Sequence, residues 1–186
     1  MSNISQFKSN FAGGARPNLF KCVVDFPSIA GNTNTTRRAS FMIKAASIPA
    51  STITKIDVPY RGRNLKVAGE RTFEDNWTVT VYNDTSFDLR NAFEKWMNSI
   101  NSHSRNFAAD AAVGAPLNYM RDLQVVQLDK SGRSEDIGIA QYRFIDAFPV
   151  NVNAIELSYE TDEVETFEVE FAYQYWERVG NEVITD

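Results

Sequence analysis

The last long apolar pattern of the chain decides the fold class. Residues 166–175 read TFEVEFAYQY, in which bulky apolar residues alternate with polar or small ones. A period of two is typical of a β-strand with one face buried and the other in water. Working outward, residues 76–82 read NWTVTVY and repeat the alternation. We therefore predict a mainly β protein whose strands each bury one face.

Shorter alternating segments predict further strands. They cover residues 19–26, 40–46, 52–58, 64–68, 123–128 and 137–148. Pro27 and Pro149 are expected to end the first and the last of these. The polar residues 30–38 are interpreted as a loop, and residues 123–148 as a hairpin. The strand at 166–175 is predicted to carry Phe167, Val169, Phe171, Tyr173 and Tyr175 on one apolar face, with the first four of these inward.

One segment follows helical rather than strand periodicity. Residues 85–88, Thr-Ser-Phe-Asp, match a capping box that would begin a helix. We predict this helix over residues 85–101 and expect it to lie across a sheet. Its predicted buried face comprises Leu89, Phe93, Trp96, Met97 and Ile100.

Charge is distributed unevenly along the chain. Residues 1–71 contain 11 Lys/Arg and 3 Asp/Glu, a net of +8. Residues 72–186 contain 8 Lys/Arg and 21 Asp/Glu, a net of −13. Residues 48–71 are basic and rich in turn signals, and we predict a protruding hairpin that needs a partner surface. The charges either mingle on a solvated surface or form opposed faces suited to head-to-tail self-association.

No residue set typical of catalysis is found in the sequence. His103 is the single histidine and lies in a polar segment, and Cys22 is the single cysteine, on the apolar side of the first strand. A cysteine nucleophile needs a positioned base, and histidine or cysteine metal sites need several ligands. Neither a phosphate-binding glycine loop nor a calcium-loop spacing occurs. We therefore expect no enzyme activity, no metal and no cofactor.

The chain contains neither an internal repeat nor a linker, so we predict one domain over residues 1–186. Residues 1–18 are interpreted as an N-terminal arm and residues 177–186 as a loose tail. No apolar stretch is long enough to span a bilayer, and the polar N-terminus lacks the apolar core of a signal peptide. We expect a protein without a membrane anchor that is assembled in a cytosol.

Several runs of the sequence resemble a known family. They are residues 15–20 (ARPNLF), 48–50 (IPA), 67–84 (VAGERTFEDNWTVTVYND), 165–169 (ETFEV) and 175–177 (YWE). In this order they resemble the tail-tube proteins of contractile-tailed, myovirus-type bacteriophages, over roughly residues 15–177. The resemblance implies an antiparallel β-sandwich or barrel with one flanking amphipathic α-helix and an extended β-hairpin.

The resemblance also implies a structural virion protein. Six copies would close into a ring whose inner strands join as one β-barrel. Rings would stack head to tail into the inner tail tube, and double-stranded genomic DNA would pass through it without specific binding. The implied partners are further copies of the chain, the tail sheath protein, and the baseplate and tail-terminator proteins. The implied location is the phage tail, assembled in the host cytoplasm.

Three surfaces are predicted to act in assembly. Glu168 and Glu170 are expected on a polar sheet face or in the lumen, where carboxylates would repel DNA phosphates. The outer face of the helix, with Arg90, Glu94 and Lys95, either contacts the sheath or is simply solvated. The basic hairpin is expected to meet an acidic region of an adjacent copy, through Lys55, Arg61, Arg63, Lys66 and Arg71 on one side and Glu160, Asp162, Glu163 and Glu165 on the other.

Other functions stay open on the sequence alone. The tube subunit of a bacterial contractile injection or secretion apparatus would share the fold, as would a baseplate tube initiator or a tail terminator. A small-ligand-binding β-barrel module belongs to a different class. It would be monomeric and would enclose an apolar cavity.

Overall fold

The fold was analysed in a computed structural model, which describes residues 3–11, 14–73, 75–104, 106–107, 118–129, 139–160 and 162–180. Its helices are α1 (Ile4–Phe11), α2 (Thr33–Met42) and α3 (Asp88–Ile100). Its strands are β1 (Phe20–Val24), β2 (Ile43–Ala46), β3 (Thr52–Tyr60), β4 (Arg63–Thr72), β5 (Trp77–Tyr82), β6 (Arg121–Gln127), β7 (Ala140–Val152), β8 (Thr166–Ala172) and β9 (Tyr175–Val179).

Seven of these strands form one antiparallel sheet that folds over on itself at β7. The front layer consists of β2, β5, β8 and residues 148–152 of β7, in that order. The back layer consists of β1, β6, residues 140–147 of β7, and β9. Strands β3 and β4 pair with each other in a separate two-stranded sheet. The predicted mainly β, antiparallel fold class with an extended hairpin is confirmed.

A bulge in β7 lets this strand serve both layers. Asp146 has a positive φ of 52°, and the pairing with β6 shifts register there. Its backbone N–H donates to the Asp122 carboxylate (3.2 Å), which also binds Arg143 (2.5 Å). The extra residue changes the side-chain alternation, so Phe144 and Ala147 both point into the core. Pro149 was expected to end this strand, but β7 continues past it to Val152.

Aromatic side chains join the two layers and the helix. The Trp77 ring of β5 stacks on Phe144 of β7, with centroids 4.4 Å apart. Phe171 of β8 contacts Trp77 on one side and Phe93 of α3 on the other, at 5.8 and 6.1 Å. These four buried rings contribute on the order of 10 kcal/mol of gross burial energy. The predicted alternation of β5 and β8 is what places these rings inward.

The second helix was not expected from the sequence. Residues 30–38 were interpreted as a loop and residues 40–46 as a strand, but α2 occupies Thr33–Met42 and the strand begins at Ile43. A capping box explains the helix, because the Asn32 side chain accepts from the Thr35 N–H (3.1 Å). A strand over residues 40–46 would have put Phe41 on the same face as the buried Ile43, but at the end of α2 the Phe41 side chain is exposed.

Three further boundaries differ from the sequence predictions. Thr85 and Asp88 do not cap α3; its N-cap is Phe87, which has a positive φ and no side-chain cap. The strand predicted at 166–175 ends at Ala172, and β9 begins at Tyr175, whose ring is half exposed. Residues 177–179, predicted within a loose tail, pair with β7. The predicted arm contains α1, which buries none of its side chains.

An arginine of α2 ties the two core helices together. Arg38 binds the carboxylates of Asp84 (2.5 Å) and Asp88 (2.7 Å). The Ser86 hydroxyl donates to Asp88 (2.7 Å). This hydrogen bond, followed by that from Arg38, lowers the pKa of Asp88 below its ordinary value of 3.8.

Removing this arginine should give a pH-dependent loss of stability. A carboxyl with a lowered pKa stabilises the folded state above its ordinary pKa, and that contribution is lost as the pH falls through the lowered value. We expect Arg38→Gln to lower the urea midpoint of the unassembled protein at neutral pH, and the difference from wild type to shrink below pH 3.8. The exposed neighbour Arg37→Gln is the control, and a pH-independent difference for Arg38→Gln would contradict the assignment.

Candidate assembly surfaces

The front layer ends in two unpaired strand edges. The outer edge of β2 has no partner strand among the described residues. Strands β8 and β9 both pair with one edge of β7, in continuous register. Strand β6 pairs with the opposite edge of β7 only as far as Ala147. Residues 148–152 therefore present a second free edge within the described part of the chain. The strands alternate in direction across the layer, so these two edges are antiparallel to each other and suited to pair between copies.

The outer face of the front layer is polar and partly acidic. Glu168 and Glu170 of β8 lie on it, between the neighbouring strands β5 and β7. Their carboxylates accept hydrogen bonds from neutral amides: Asn153 binds Glu168 (3.1 Å), and Asn151 binds Glu170 (3.0 Å). These amides orient the carboxylates without neutralising them. Near the β2 edge, Lys44 lies over the Tyr82 ring at 5.5 Å.

The hairpin of β3 and β4 has one apolar and one charged face. Cross-strand partners share a face, so Val58 with Leu65 and Ile56 with Val67 form an exposed apolar face. The pair Asp57–Lys66 lies on the opposite face. The predicted interface residues Lys55, Arg61, Arg63, Lys66 and Arg71 are all exposed on this hairpin.

Local backbone chemistry explains how the hairpin forms. Both turn residues, Arg61 and Gly62, have positive φ (47° and 79°), as a tight type I′ turn requires. Near the base a bulge sets Gly69 beside Thr54, and a Cβ on Gly69 would lie 2.5 Å from the Thr54 hydroxyl. Glycine is needed there because the two strands approach so closely.

Two tryptophans hold the segment at the base of the hairpin. The Trp77 indole N–H donates to the Ser47 carbonyl (2.8 Å), and the Trp176 indole N–H donates to the Ala50 carbonyl (3.0 Å). Trp176 also packs edge-on against Tyr142 of β7, with ring centroids 5.6 Å apart. The connection from β2 to β3 is thus bound to both layers of the core.

Removing one of these indole donors should loosen the hairpin. Trp176→Phe keeps a ring against Tyr142 but loses the hydrogen bond to Ala50, which costs about 1 kcal/mol. We expect faster amide hydrogen exchange over residues 52–72. Trp96→Phe is the matched control, since its indole donates to Tyr119, away from the hairpin. Equal exchange over residues 52–72 in the two variants would contradict the anchoring role.

The connection from β7 to β8 forms an acidic open groove. Residues 154–159 and 163–166 line a cavity of about 700 Å³. Glu160, Asp162 and Glu163, which were expected to meet the hairpin of an adjacent copy, are exposed. Glu165 differs, because it is half buried and accepts from the Asn83 amide (2.8 Å). Leu157, Tyr159 and Val164 leave large apolar side chains in solvent beside these carboxylates.

The three charged residues predicted on the outer face of α3 differ in how exposed their side chains are. Glu94 and Lys95 are exposed. Arg90 instead lies back on its own chain, where it donates to the Asn153 carbonyl (3.0 Å) and lies over the Phe167 ring. Of the predicted surface on α3, Lys95 therefore offers an exposed charge, whereas the exposed Glu94 is paired with Arg90 (2.9 Å). Arg90 also joins the helix to the front layer.

No arrangement typical of an enzyme or a metal centre is found among the residues that the structure describes. Those residues contain no cluster of three or more His, Cys, Asp or Glu side chains placed to hold a metal. Cys22 is buried, and burial raises the pKa of its thiol, so it stays protonated. Among the described helices, none is both long and apolar enough to cross a membrane.

Two features of these surfaces were missed by the sequence analysis. The apolar hairpin face was visible as Ile56, Val58 and Tyr60 on one side of the turn and Leu65 and Val67 on the other. Pairing across a two-residue turn would have placed them together. The free edge of β7 had no sequence signal, because it depends on where β6 ends along that strand.

Comparison with solved structures defines the class of fold. A chain of the sheath–tube complex of an extracellular contractile injection system, PVC, in its extended state aligns over 97% of this chain and 100% of its own length, with a TM-score of 0.54 and 12% identity. The tube-terminating cap of the anti-feeding prophage aligns over 90% of this chain and 91% of its own, with a TM-score of 0.57 and 14% identity. The fold is thus one used in contractile injection machines.

Sequence comparison then gives the family. The family model described as phage tail tube protein matches residues 5–179. Tail tube protein gp19 of Enterobacteria phage T4 is 33% identical over 164 residues, 88% of this chain and 91% of that protein. The tail tube protein of Serratia phage KSP90 is 26% identical over 160 residues, 84% and 85% of the two chains. The chain belongs to the phage tail tube protein family, and it is a structural virion component of a contractile tail.

Proposed function

We propose that six copies of the chain close into a ring by pairing their front layers edge to edge. The observation that carries this proposal is the pair of free, antiparallel edges, β2 on one side and residues 148–152 of β7 on the other. Four strands from each copy would continue the alternation around the ring without a break. Closure removes exposed edges that would otherwise pair without control. Stacked rings form the inner tube of the tail.

In this arrangement the polar outer face of the front layer lines the lumen. Glu168 and Glu170 are held there by amides, so the wall carries negative charge toward the passing DNA. Lysine and arginine contacts to phosphate are what make DNA bind, and carboxylates repel it. Double-stranded DNA would therefore slide through during ejection rather than adhere. Lys44 lies toward the β2 edge, where the next copy of the ring adds its own strand.

The remaining partners follow from the position of the tube in a tail. Glu94 and Lys95 on α3 are the surface proposed to contact the tail sheath. Baseplate and tail-terminator proteins would cap the two ends of the stack. This is supported by the fold shared with chains from injection-system assemblies that contain a sheath, a baseplate or a terminating cap. The chain acts as a single, non-enzymatic domain that is assembled in the host cytoplasm into the phage tail.

Ring closure can be tested by proline substitution on the edge strand. Successive backbone N–H groups of a strand point to opposite edges. Of the variants Ala45→Pro and Ala46→Pro, one therefore removes an N–H that points outward to the next copy, and the other removes an N–H that pairs with β5. We expect wild type to form hollow tubes or six-membered rings in negative-stain microscopy. The proline variant that keeps the wild-type urea midpoint should remain unassembled. Tubes from that variant would contradict closure through β2.

The lumen assignment can be tested by labelling an introduced cysteine with a maleimide attached to a polymer that is wider than the tube lumen. Glu168→Cys should react in dissociated subunits and be protected in tubes. Asn91→Cys, at an exposed position on α3, should react in the subunits and is the control for labelling itself. Rapid labelling of Glu168→Cys in intact tubes would place this face on the outside.

A further inference from the structure

The charged hairpin and the acidic groove lie at opposite ends of the front layer. The hairpin leaves the core where β2 ends and β5 begins, beside the Trp77–Phe171 pair. The connection from β7 to β8 enters at the other end, beside the Tyr82–Thr166 pair. A contact between these two surfaces therefore joins one end of a copy to the other end of the next. Such a contact is heterologous and can repeat without limit along one axis.

We propose that the hairpin of one copy seats its apolar face in the β7–β8 groove of a copy in the next ring. This rests on the stacked rings of the proposed function and names the surface that receives the hairpin. The occupant of the groove is a second copy of this chain.

Both surfaces expose apolar side chains that a lone chain leaves in water. On the hairpin, Val58, Leu65, Ile56 and Val67 share one face and are each about half exposed or more. In the groove, Leu157 is 79% and Val164 69% exposed. Burying such side chains against each other is favourable, whereas their exposure on a free monomer has no benefit. Shape supports the pairing as well, since a projecting ribbon meets an open cavity of about 700 Å³.

Opposite charge supports the same pairing. Residues 52–72 of the hairpin carry five Lys/Arg and two Asp/Glu, whereas residues 153–166 carry five Asp/Glu and no Lys/Arg. Arg63 shares the apolar face through its pairing with Tyr60, and Arg61 lies at the turn, so these two cations can meet the groove carboxylates at the rim of the contact. Lys66 lies on the opposite face and adds only to the overall charge of the hairpin. Two hairpins would repel each other, and so would two grooves. The charge therefore selects head-to-tail contact over contact between like ends.

The contact can be tested by joining two single-cysteine variants. Leu65→Cys and Leu157→Cys are prepared separately, mixed under tube-forming conditions and oxidised with copper phenanthroline. A disulfide between them must link two copies, because each chain carries one of the new cysteines. Cys22 is buried and does not compete. Both substitutions are at exposed positions, so the variants should fold.

We expect a disulfide-linked dimer at least tenfold more abundant than in a mixture of Leu65→Cys with Asn91→Cys. Tubes that form without this enrichment would overturn the groove as the receiving surface and leave the tube function standing. Enrichment without any ring or tube would support the contact and contradict the proposed ring. If the disulfide-linked dimer is not enriched and neither wild type nor the variants assemble, both the groove contact and the proposed ring are overturned.

Discussion

Backbone pairing along β7 is the constraint on which the rest of the structure depends. This strand is hydrogen-bonded to β6, β8 and β9, and it passes from one layer to the other. The bulge at Asp146 makes that passage possible, because it turns the strand while keeping Phe144 and Ala147 in the core. The stacking of Trp77 on Phe144 follows from this geometry. That stacking in turn helps to position α3 against the sheet.

The same strand also presents an edge that can pair with another copy of the chain. Its pairing with β6 stops at Ala147, so its last residues present an edge that the chain does not cover among its described residues. The hairpin likewise extends from the core with apolar groups in solvent, although two indoles bind its base firmly. A monomer gains little from either feature. Both become favourable when a neighbouring copy supplies the missing partner, as membership of a tube-forming family leads one to expect.

Residues with a clear periodicity were predicted well, and residues governed by capping or bulges were not. The inward residues of β5, β8 and α3 followed from spacing, because burial demands one apolar face. Helix α2 was missed because its sequence, TNTTRRASFM, is polar and shows weak apolar spacing; the Asn32–Thr35 capping box starts it. Pro149 lies inside β7 next to the bulge, where the ladder is already interrupted. Arg90 was placed outside by spacing, yet contacts with Asn153 and Phe167 bring it inward.

Sequence by itself determined the class of structure and the uneven distribution of charge. Alternation specifies which face of a strand is apolar, and the charge of a segment is a property of its composition. Among the described residues, tertiary structure alone decided which strand edges stay free, and that the basic hairpin and acidic groove lie at opposite ends of one layer. These features depend on which strands pair and in what register, and pairing between distant segments is set by the packed core as a whole.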